Sequence, residues 1–442
     1  MTNAVAAFYD GGMTVEFSGQ RQAKNADDIT YVTGWCYHNQ LNGLRTGAPH
    51  VLPDPDSLPA GVDPTAVREQ ELTRGGFVPS PGRHATAYLY RARQGPRWTR
   101  DGIRRVSRED IAPHWLNGRT EVVRTQACMP RKFPRLPVEK GNAVSNLRTL
   151  FHNQDIAIGV TVCTDPMPYF LRNADGDDLF FVHEGEGVME TEFGPLGLER
   201  GYYVWIPRGT LYRIVPDSPQ LYMFHVENYG ERFQKPDTGI TGDAALYYHR
   251  NIQVPTARYD LSEGAFEVLV KQGGDFTAYS FGHHPCDVIG WDGDLTPFRF
   301  NAEDFKPITS WRAHIPPSAY CTFLGDGFEV CTFAPRPVET GERSLPVPFD
   351  HINHDRDEAL FFHEGLFFSK DKSEAGAMTL HTRGFSHGPH ENALQRALDR
   401  RDAEGGYMLE GYAIMIETNL PLCVTPWAES VEDPDYPNSW RL

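Results

Sequence analysis

Residues 350–390 read DHINHDRDEALFFHEGLFFSKDKSEAGAMTLHTRGFSHGPH, and no other stretch of the chain is as informative about its fold. The aromatic-rich runs ALFF and LFF are joined by HEG, a pattern that is typical of a β-hairpin. The later run AMTLH predicts another strand, and Gly384 permits a tight loop after it. Strands that close into a small barrel can bring residues distant in sequence together at the barrel mouth.

The same stretch is rich in histidine, since it contains six of the 17 histidines in the chain. These six are His351, His354, His363, His381, His387 and His390. Two histidines and one carboxylate, here Glu358, are the ligands of a non-haem Fe(II) site, which leaves one face open for substrate and O₂. A histidine is more often a surface or hydrogen-bonded residue, and a metal needs only two of them. Spacing alone therefore leaves open an iron site, a zinc site and an unrelated cluster.

The composition favours many short strands over helices, because 12% of the residues are aromatic and the 442 residues include 34 Pro and 41 Gly. A formal net charge of −17 argues against nucleic acid or an anionic membrane as partner, since both require a basic surface. No apolar run reaches membrane-spanning length, and the N-terminus lacks the pattern of a signal peptide. Seven scattered cysteines without a CxxC pair predict reduced thiols and a cytoplasmic protein.

The chain divides into three predicted regions. Residues 1–127 form an extended, partly β segment, which is rich in Pro, Gly and Asp between about 45 and 85. Residues 128–260 form a first barrel without a metal, and residues 261–442 form a second, metal-bearing barrel. Only residues 391–406 have helical character. The predicted fold class is therefore dominated by β-structure, with few helices.

An internal similarity supports two related barrels. LFFVHEGEG at 179–187 is similar to LFFHEGLFF at 360–368, and each run follows an acidic turn, DGDD or DRDE. A duplication explains this similarity, and a chance likeness between two hairpins is the alternative. The first copy lacks the histidines that immediately precede the turn of the second copy, so we expect it to be structural.

Several segments in order resemble the homogentisate 1,2-dioxygenase family, from about residue 128 to 430. They read FLRNADGDDLFFVHEGEGVMETEFG, RGYYVWIPRGTLYRI, GGDFTAYSFGHHPCDVIGWDGDLTPFRFNAEDFKPITS, HIPPSAYCTF, VPFDHINHDRDE, TLHTRGFSHGP and PLCVTPW. The resemblance implies a double cupin that cleaves an aromatic ring with Fe(II) and O₂. It also implies assembly into trimers or hexamers.

The resemblance further implies roles for individual residues. The family's metal motif falls on His351 with Asn353, on Glu358, and on His387 in the run HGP. The family's general base corresponds to His314 in AHIPPS. An imidazole titrates near neutral pH and can accept a phenolic proton. The alternative for His314 is a structural role, as a histidine in a turn that is held by hydrogen bonds to the backbone.

Three further residues complete the expected site. His381, six residues before the last ligand, would orient that ligand or contact substrate. Some family members have a substrate-contacting Tyr where this chain has Phe367 or its neighbour Phe368, so homogentisate itself is less secure than the reaction type. His354 is an alternative first ligand, because it lies four residues before Glu358 in a more usual cupin spacing. The His-x-Asn register favours His351.

The expected reaction opens a homogentisate-like hydroquinone acid to a product of the maleylacetoacetate type, with both oxygen atoms incorporated. A dioxygenase for another hydroquinone or gentisate-like acid is the nearest alternative. A non-catalytic bicupin that binds a metal or a small molecule is the alternative from another class. The pair His283-His284 looks like a metal site but has no match in the family motif, so it predicts a structural turn.

Overall fold

The structure is a computed structural model. It describes residues 7–8, 14–15, 29–33, 38–46, 49–75, 85–95, 97–120, 128–237, 242, 246–345, 349–364 and 374–440. Three helices lie in this part of the chain: α1 Arg108–Ile111, α2 Glu391–Glu404 and α3 Pro426–Val431. The rest of its regular structure is almost entirely strands, so the predicted β-dominated double cupin is confirmed.

The first barrel is built from two large sheets. The nine-stranded sheet contains, in spatial order, β3 Tyr31–Thr33, β18 Gln253–Pro255, β22 Phe298–Asn301, β15 Tyr202–Ile206, β12 Asp177–Glu184, β17 Leu221–Asn228, β10 Ile156–Cys163, β9 Arg148–His152 and β32 Cys423–Val424. The seven-stranded sheet contains β14 Gly194–Leu198, β13 Gly187–Thr191, β16 Leu211–Pro216, β11 Phe170–Asn173, β19 Glu263–Gln272, β20 Asp275–His283 and β7 Trp98–Val106.

The remaining strands form smaller sheets. The six-stranded sheet of the second barrel contains β23 Cys321–Gly325, β24 Phe328–Phe333, β31 Tyr412–Thr418, β27 Asp357–Glu364, β28 Met378–His381 and β8 Arg131–Phe133. The four-stranded sheet contains β4 His38–Gln40, β21 Val288–Gly293, β6 Ala85–Arg91 and β5 Arg68–Arg74. Three two-stranded sheets pair β1 Ala7–Phe8 with β2 Thr14–Val15, β25 Arg336–Pro337 with β30 Met408–Leu409, and β26 His351–Ile352 with β29 Ser386–His387.

The nine-stranded sheet lies between two cores, and this explains why its strands read as nearly continuous apolar runs. Successive side chains of a strand point to opposite faces. In β12, Leu179 and Phe181 therefore join the core shared with the second barrel. Phe180 and Val182 join the core between the two sheets of the first barrel. All four side chains are buried, although a strand with one solvated face would alternate between apolar and polar.

The predicted helix at 391–406 is confirmed as α2, Glu391–Glu404. The prediction that no other segment is helical is wrong, because the short helices α1 and α3 lie outside that range. Gly405 ends it in the left-handed region, with φ of 69°, and its N–H donates to the Arg401 carbonyl at 2.8 Å. At 14 residues α2 is the longest helix of the described chain, and no helix there combines the length and apolar character that a membrane crossing requires.

Three of the four strands between residues 263 and 301, namely β19, β20 and β22, belong to the two large sheets of the first barrel. β19 lies beside β11 in the only parallel pair among the described strands, and β22 pairs with β15. The boundary at residue 260 stays a prediction, but these pairings favour a boundary after residue 301. Sheets form between strands that are close in space, and chain order does not decide which barrel a strand joins.

The repeated motif at 179–187 and 360–368 begins in two strands of equal construction. β12 and β27 each have eight residues, and each pairs with a later antiparallel strand through a register that skips its seventh residue. The skipped residues are His183 and His363, and their Nδ1 atoms lie 2.9 Å apart. Burial lowers the pKa of His183 to about 4 and that of His363 to about 3, so both rings are neutral near pH 7. These shared features support a duplication.

Candidate metal centre

His351 and His387 are brought together by backbone pairing. β26 and β29 are antiparallel, and His351 lies directly opposite His387 in their register. Their ring centroids are 4.3 Å apart. Gly388, which follows His387, lies so close to Asp350 that a β-carbon at this position would overlap the Asp350 side chain and backbone. This close approach explains why glycine follows the histidine in the HGP run.

Glu358 enters the same space from β27, in the six-stranded sheet. Its Oε1 lies 3.4 Å from His351 Nε2, and its Oε2 lies 3.3 Å from His387 Nε2. Among the described residues, these three form a group whose potential ligand atoms all lie within 4.8 Å of one another. Glu358 and His387 are buried and His351 is partly exposed, so the group has a protein side and an open side.

The outer nitrogens of the two imidazoles show what the inner ones can bind. His351 Nδ1 lies 3.1 Å from the Phe349 carbonyl oxygen, and His387 Nδ1 lies 3.3 Å from that of Phe385. A carbonyl can only accept, so each Nδ1 carries its proton and donates it outward. Each Nε2 faces a Glu358 oxygen, and with a cation between them each Nε2 would present its lone pair to that cation. Two neutral imidazoles and one carboxylate are a donor set that suits Fe(II), and it suits zinc as well.

Asn353 and the two histidines hold the carboxylate of Glu358 in its ionised form. Burial alone would raise the pKa of Glu358, but hydrogen bonds with His351 and His387 hold it well below its ordinary value. Asn353 Nδ2 donates to Oε1 at 3.2 Å, and its own Oδ1 accepts from the Asp355 and Arg356 backbone N–H groups. Asn353 therefore orients the carboxylate.

The structure separates the two candidates for the first histidine. His354 is exposed and does not belong to the group around Glu358, whereas His351 does. This placement favours His351 over His354. Phe367 and Phe368 lie outside the described residues, so the expected substrate contact there stays a prediction.

His381 packs against the ring of His387. Its ring centroid lies 4.6 Å from that of His387, and its Nε2 lies 3.4 Å from the Tyr436 hydroxyl. His381 is buried and lies opposite Glu358 in the pairing of β28 with β27. Its position suits the ligand-orienting role among the two expected for it. Tyr436, near the end of the chain, could not be connected with the site from sequence spacing.

His314 and His351 both lie beside the aromatic ring of Phe349. The Phe349 ring centroid is 6.3 Å from that of His314 and 6.2 Å from that of His351. His314 Nδ1 contacts two residues that the sequence did not single out: Glu339 Oε1 at 3.3 Å and an Arg336 guanidinium nitrogen at 3.1 Å. These contacts make His314 part of a polar cluster of side chains. A turn histidine held only by backbone bonds would not have such partners.

His284, by contrast, is a structural residue. Its ring packs on Phe170 and Phe266, with centroids 5.2 and 4.9 Å away, and its Nδ1 accepts from the Cys286 backbone N–H. Burial lowers its pKa well below the ordinary value, so the ring is neutral. This arrangement agrees with the predicted structural turn.

In the first barrel, the ammonium group of Lys271 lies near the residues that correspond to the metal group of the second barrel. Asp178 of β12 corresponds to Glu358 of β27, and each lies opposite a glutamate of the next strand, Glu227 or Glu417. In the first barrel, the fully buried Lys271 donates to Glu227 at 2.6 Å and to Asp175 at 2.9 Å. These pairings support the prediction that the first copy is structural.

Replacing Lys271 with methionine is expected to lower the free energy of unfolding by about 3–5 kcal/mol, because it leaves Glu227 and Asp175 buried without their cation. Urea denaturation of the variant beside the parent chain would measure this change. Lys306→Met, at an exposed position, is the matched control and should stay within about 0.5 kcal/mol. Equal stability of Lys271→Met and the parent would mean that the ammonium contributes nothing.

The chain is similar to known proteins along most of its length. A model of the homogentisate 1,2-dioxygenase N-terminal region matches residues 71–302, and one of the C-terminal region matches residues 326–442. A relative from Saccharolobus solfataricus, named "Putative dioxygenase", is 36% identical over 276 residues, which cover 61% of this chain and 70% of that protein. Homogentisate 1,2-dioxygenase of Sinorhizobium fredii is 25% identical, covering 95% and 94%. That of Caenorhabditis elegans is 26% identical, covering 94% and 97%.

A more distant similarity is to a solved structure. A cupin 2 conserved barrel domain protein from Leptotrichia buccalis is 8% identical, covers 66% of this chain and 92% of its own, and has a TM-score of 0.29. The family models are far more informative, because together they match well over half of the residues and the second includes the entire group around Glu358. The chain therefore belongs to the homogentisate 1,2-dioxygenase family.

Proposed function

We propose that this protein is an Fe(II)-dependent dioxygenase that opens the ring of a hydroquinone-type aromatic acid. Homogentisate is the first candidate substrate, and the expected product is of the maleylacetoacetate type. The observation that supports this most strongly is the convergence of His351, Glu358 and His387 within 4.8 Å. All three lie in the region that the C-terminal family model matches, and the N-terminal model matches the preceding region.

In this proposal His351, Glu358 and His387 hold the metal, and Asn353 and His381 keep two of these ligands in place. Fe(II), when bound, supplies open positions at which an aromatic diol and O₂ can meet. The partly exposed His351 marks the side from which substrate enters. Phe349 offers an aromatic wall beside that opening, since its ring lies next to both His351 and His314. His314 accepts the phenolic proton of the substrate.

A non-catalytic bicupin that binds a metal or small molecule is the alternative from another class. Such a protein needs three ligands but no base beside them. His314, which shares the neighbouring Phe349 ring with His351 and is held by charged partners, favours the enzyme. The donor set does not distinguish iron from zinc, so the metal has to be identified by reconstitution.

With Fe(II) bound, the protein is expected to consume one O₂ per ring of a para-dihydroxyphenyl acid without an external reductant, because the substrate supplies all the electrons. Oxygen-electrode traces with homogentisate, gentisate and plain hydroquinone would measure the stoichiometry and rank the substrates. Chelation should abolish the uptake, Fe(II) should restore it, and Zn(II), which has no redox chemistry, should not.

Two results would contradict the proposal. A requirement for 2-oxoglutarate or a nicotinamide would indicate another class of iron enzyme. Stoichiometric iron without O₂ uptake for any of the three diols would favour the binding protein. A preference for gentisate over homogentisate would keep the reaction type and change the substrate.

Assembly into trimers or hexamers remains part of the proposal, and light scattering on the purified chain would test it. The cytoplasmic location likewise stays a prediction. The acidic composition, with a net charge of −17, supports small-molecule substrates over nucleic acid or an anionic membrane surface.

A further inference from the structure

His314 is the proposed base, and its Nδ1 lies between two groups with opposite requirements. Glu339 Oε1, at 3.3 Å, can only accept a hydrogen bond, so it favours a proton on Nδ1. The Arg336 guanidinium nitrogen, at 3.1 Å, can only donate, so it favours a lone pair there. These two contacts determine which ring nitrogen of neutral His314 carries the proton.

The choice of tautomer decides whether His314 can act as a base. With the proton on Nδ1, the other nitrogen, Nε2, has a free lone pair and can accept a proton. With the proton on Nε2, the ring can only donate from that side. Arg336 donates through Nη1 to the same Glu339 Oε1 at 2.7 Å, and it reaches His314 with Nη2 at 3.1 Å. The shorter contact of Arg336 is therefore the one with the carboxylate. The guanidinium is therefore already neutralised by the carboxylate that also faces His314.

We propose that Glu339 is a positioning residue that fixes His314 in the tautomer with a proton on Nδ1 and a bare Nε2. This inference rests on the proposed function, in which His314 accepts the substrate's phenolic proton. In that step the proton moves from the substrate oxygen to Nε2, and the oxygen keeps the electron pair. The ring becomes an imidazolium whose Nδ1–H donates to Glu339, and Nε2 later returns the proton to product or water.

The burial of Glu339 supports a specific role. Its side chain is only 1% exposed, and both described hydrogen bonds to the carboxylate converge on Oε1. Oε2 is buried and has no hydrogen-bond partner among the described residues. Removing a carboxylate from water while leaving one oxygen unsatisfied is costly, and a purely structural partner for Arg336 would use both oxygens in a bidentate pair.

The test compares Glu339→Gln with the parent chain, loaded with Fe(II) and given the best substrate of the diol panel. Gln keeps the size and can still accept from Arg336, but it loses the charge that favours Nδ1–H. We expect kcat to fall about 10–100-fold, as is usual when the partner of a functional imidazole is removed. KM and iron content should stay within about twofold of the parent, because Glu339 is proposed to contact neither substrate nor metal.

The decisive measurement repeats the substitution in a His314→Gln background. A residue that acts through His314 should cause no further loss of kcat there, whereas an independent structural effect would add to the first. Glu342→Gln, at an exposed position three residues away, is the matched control and should keep parental kcat. Glu339→Asp, which retains the charge, should recover part of the loss.

The outcomes separate this inference from the proposed function. Normal turnover of His314→Gln would reject the base itself. Slow His314→Gln with normal Glu339→Gln would overturn only the role of Glu339, and so would an additional loss in the double variant. If Glu339→Gln does not fold, nitrogen NMR of the His314 ring in the parent chain decides. A proton on Nδ1 supports the role of Glu339, and a proton on Nε2 overturns it.

Discussion

Replacing Glu358 with alanine is expected to remove iron binding and O₂ uptake together while the barrels stay folded. Glu358 contacts both His351 and His387, through Oε1 and Oε2 respectively. Without it, two neutral imidazoles remain, and a facial site for iron is incomplete. Iron analysis and oxygen-electrode traces would measure the losses, and circular dichroism would confirm that the strands are retained.

Glu364→Ala is the matched control, because Glu364 lies at the exposed end of the same strand and pairs only with Arg200 among the described residues. It should bind iron and turn over normally. Parental iron content in Glu358→Ala would reject the ligand assignment. The pair His351→Ala and His354→Ala extends the test: loss of iron in His354→Ala but not in His351→Ala would mean that the first ligand was misassigned.

Replacing His314 with glutamine is expected to lower turnover by about 10²–10⁴-fold, the usual contribution of a positioned general base. Stoichiometric iron and parental substrate affinity should persist, since none of the proposed ligands contacts His314 directly in the structure. Single-turnover measurements on the iron-loaded variant would separate slow chemistry from weak binding.

His354→Gln provides the control for removing an imidazole close to the metal group, since His354 is exposed and outside that group. It should turn over like the parent. If His314→Gln lost its iron, His314 would be a residue that supports the metal. If it turned over normally, a group other than His314 would be the general base.

The strands and their order along the chain could be predicted from sequence. Turn residues and the alternation of apolar and polar residues are signals carried by neighbouring positions. The hairpin strand at Asp357–Glu364 and the helix at Glu391–Glu404 lie where the patterns predict them. The partner of a strand is a different matter. Nothing in the run EVLVKQ indicates that it lies parallel to Phe170–Asn173 in the first barrel, because that pairing is decided by the closure of the sheets.

The candidate ligands could be predicted because they are chemically unusual and lie within 37 residues of one another. The family resemblance then selected His351 over His354, and the backbone pairing of His351 with His387 gives the physical reason. Arg336 and Glu339 could not be predicted. Arginine and glutamate are common on surfaces, and only the fold shows that they are buried beside a histidine more than 20 residues earlier.

His183 and His363 meet where a twofold axis relating the two barrels would pass, since they occupy the same position of two corresponding strands. In a dimer of identical single barrels, this contact would join one residue to its own copy. Neutral imidazole suits such a meeting, because one ring donates while its twin accepts, which two lysines or two carboxylates cannot do. If a duplication joined two such barrels, the contact between His183 and His363 would descend from the dimer interface. Each half was then free to diverge, one around Lys271 and the other around its metal ligands.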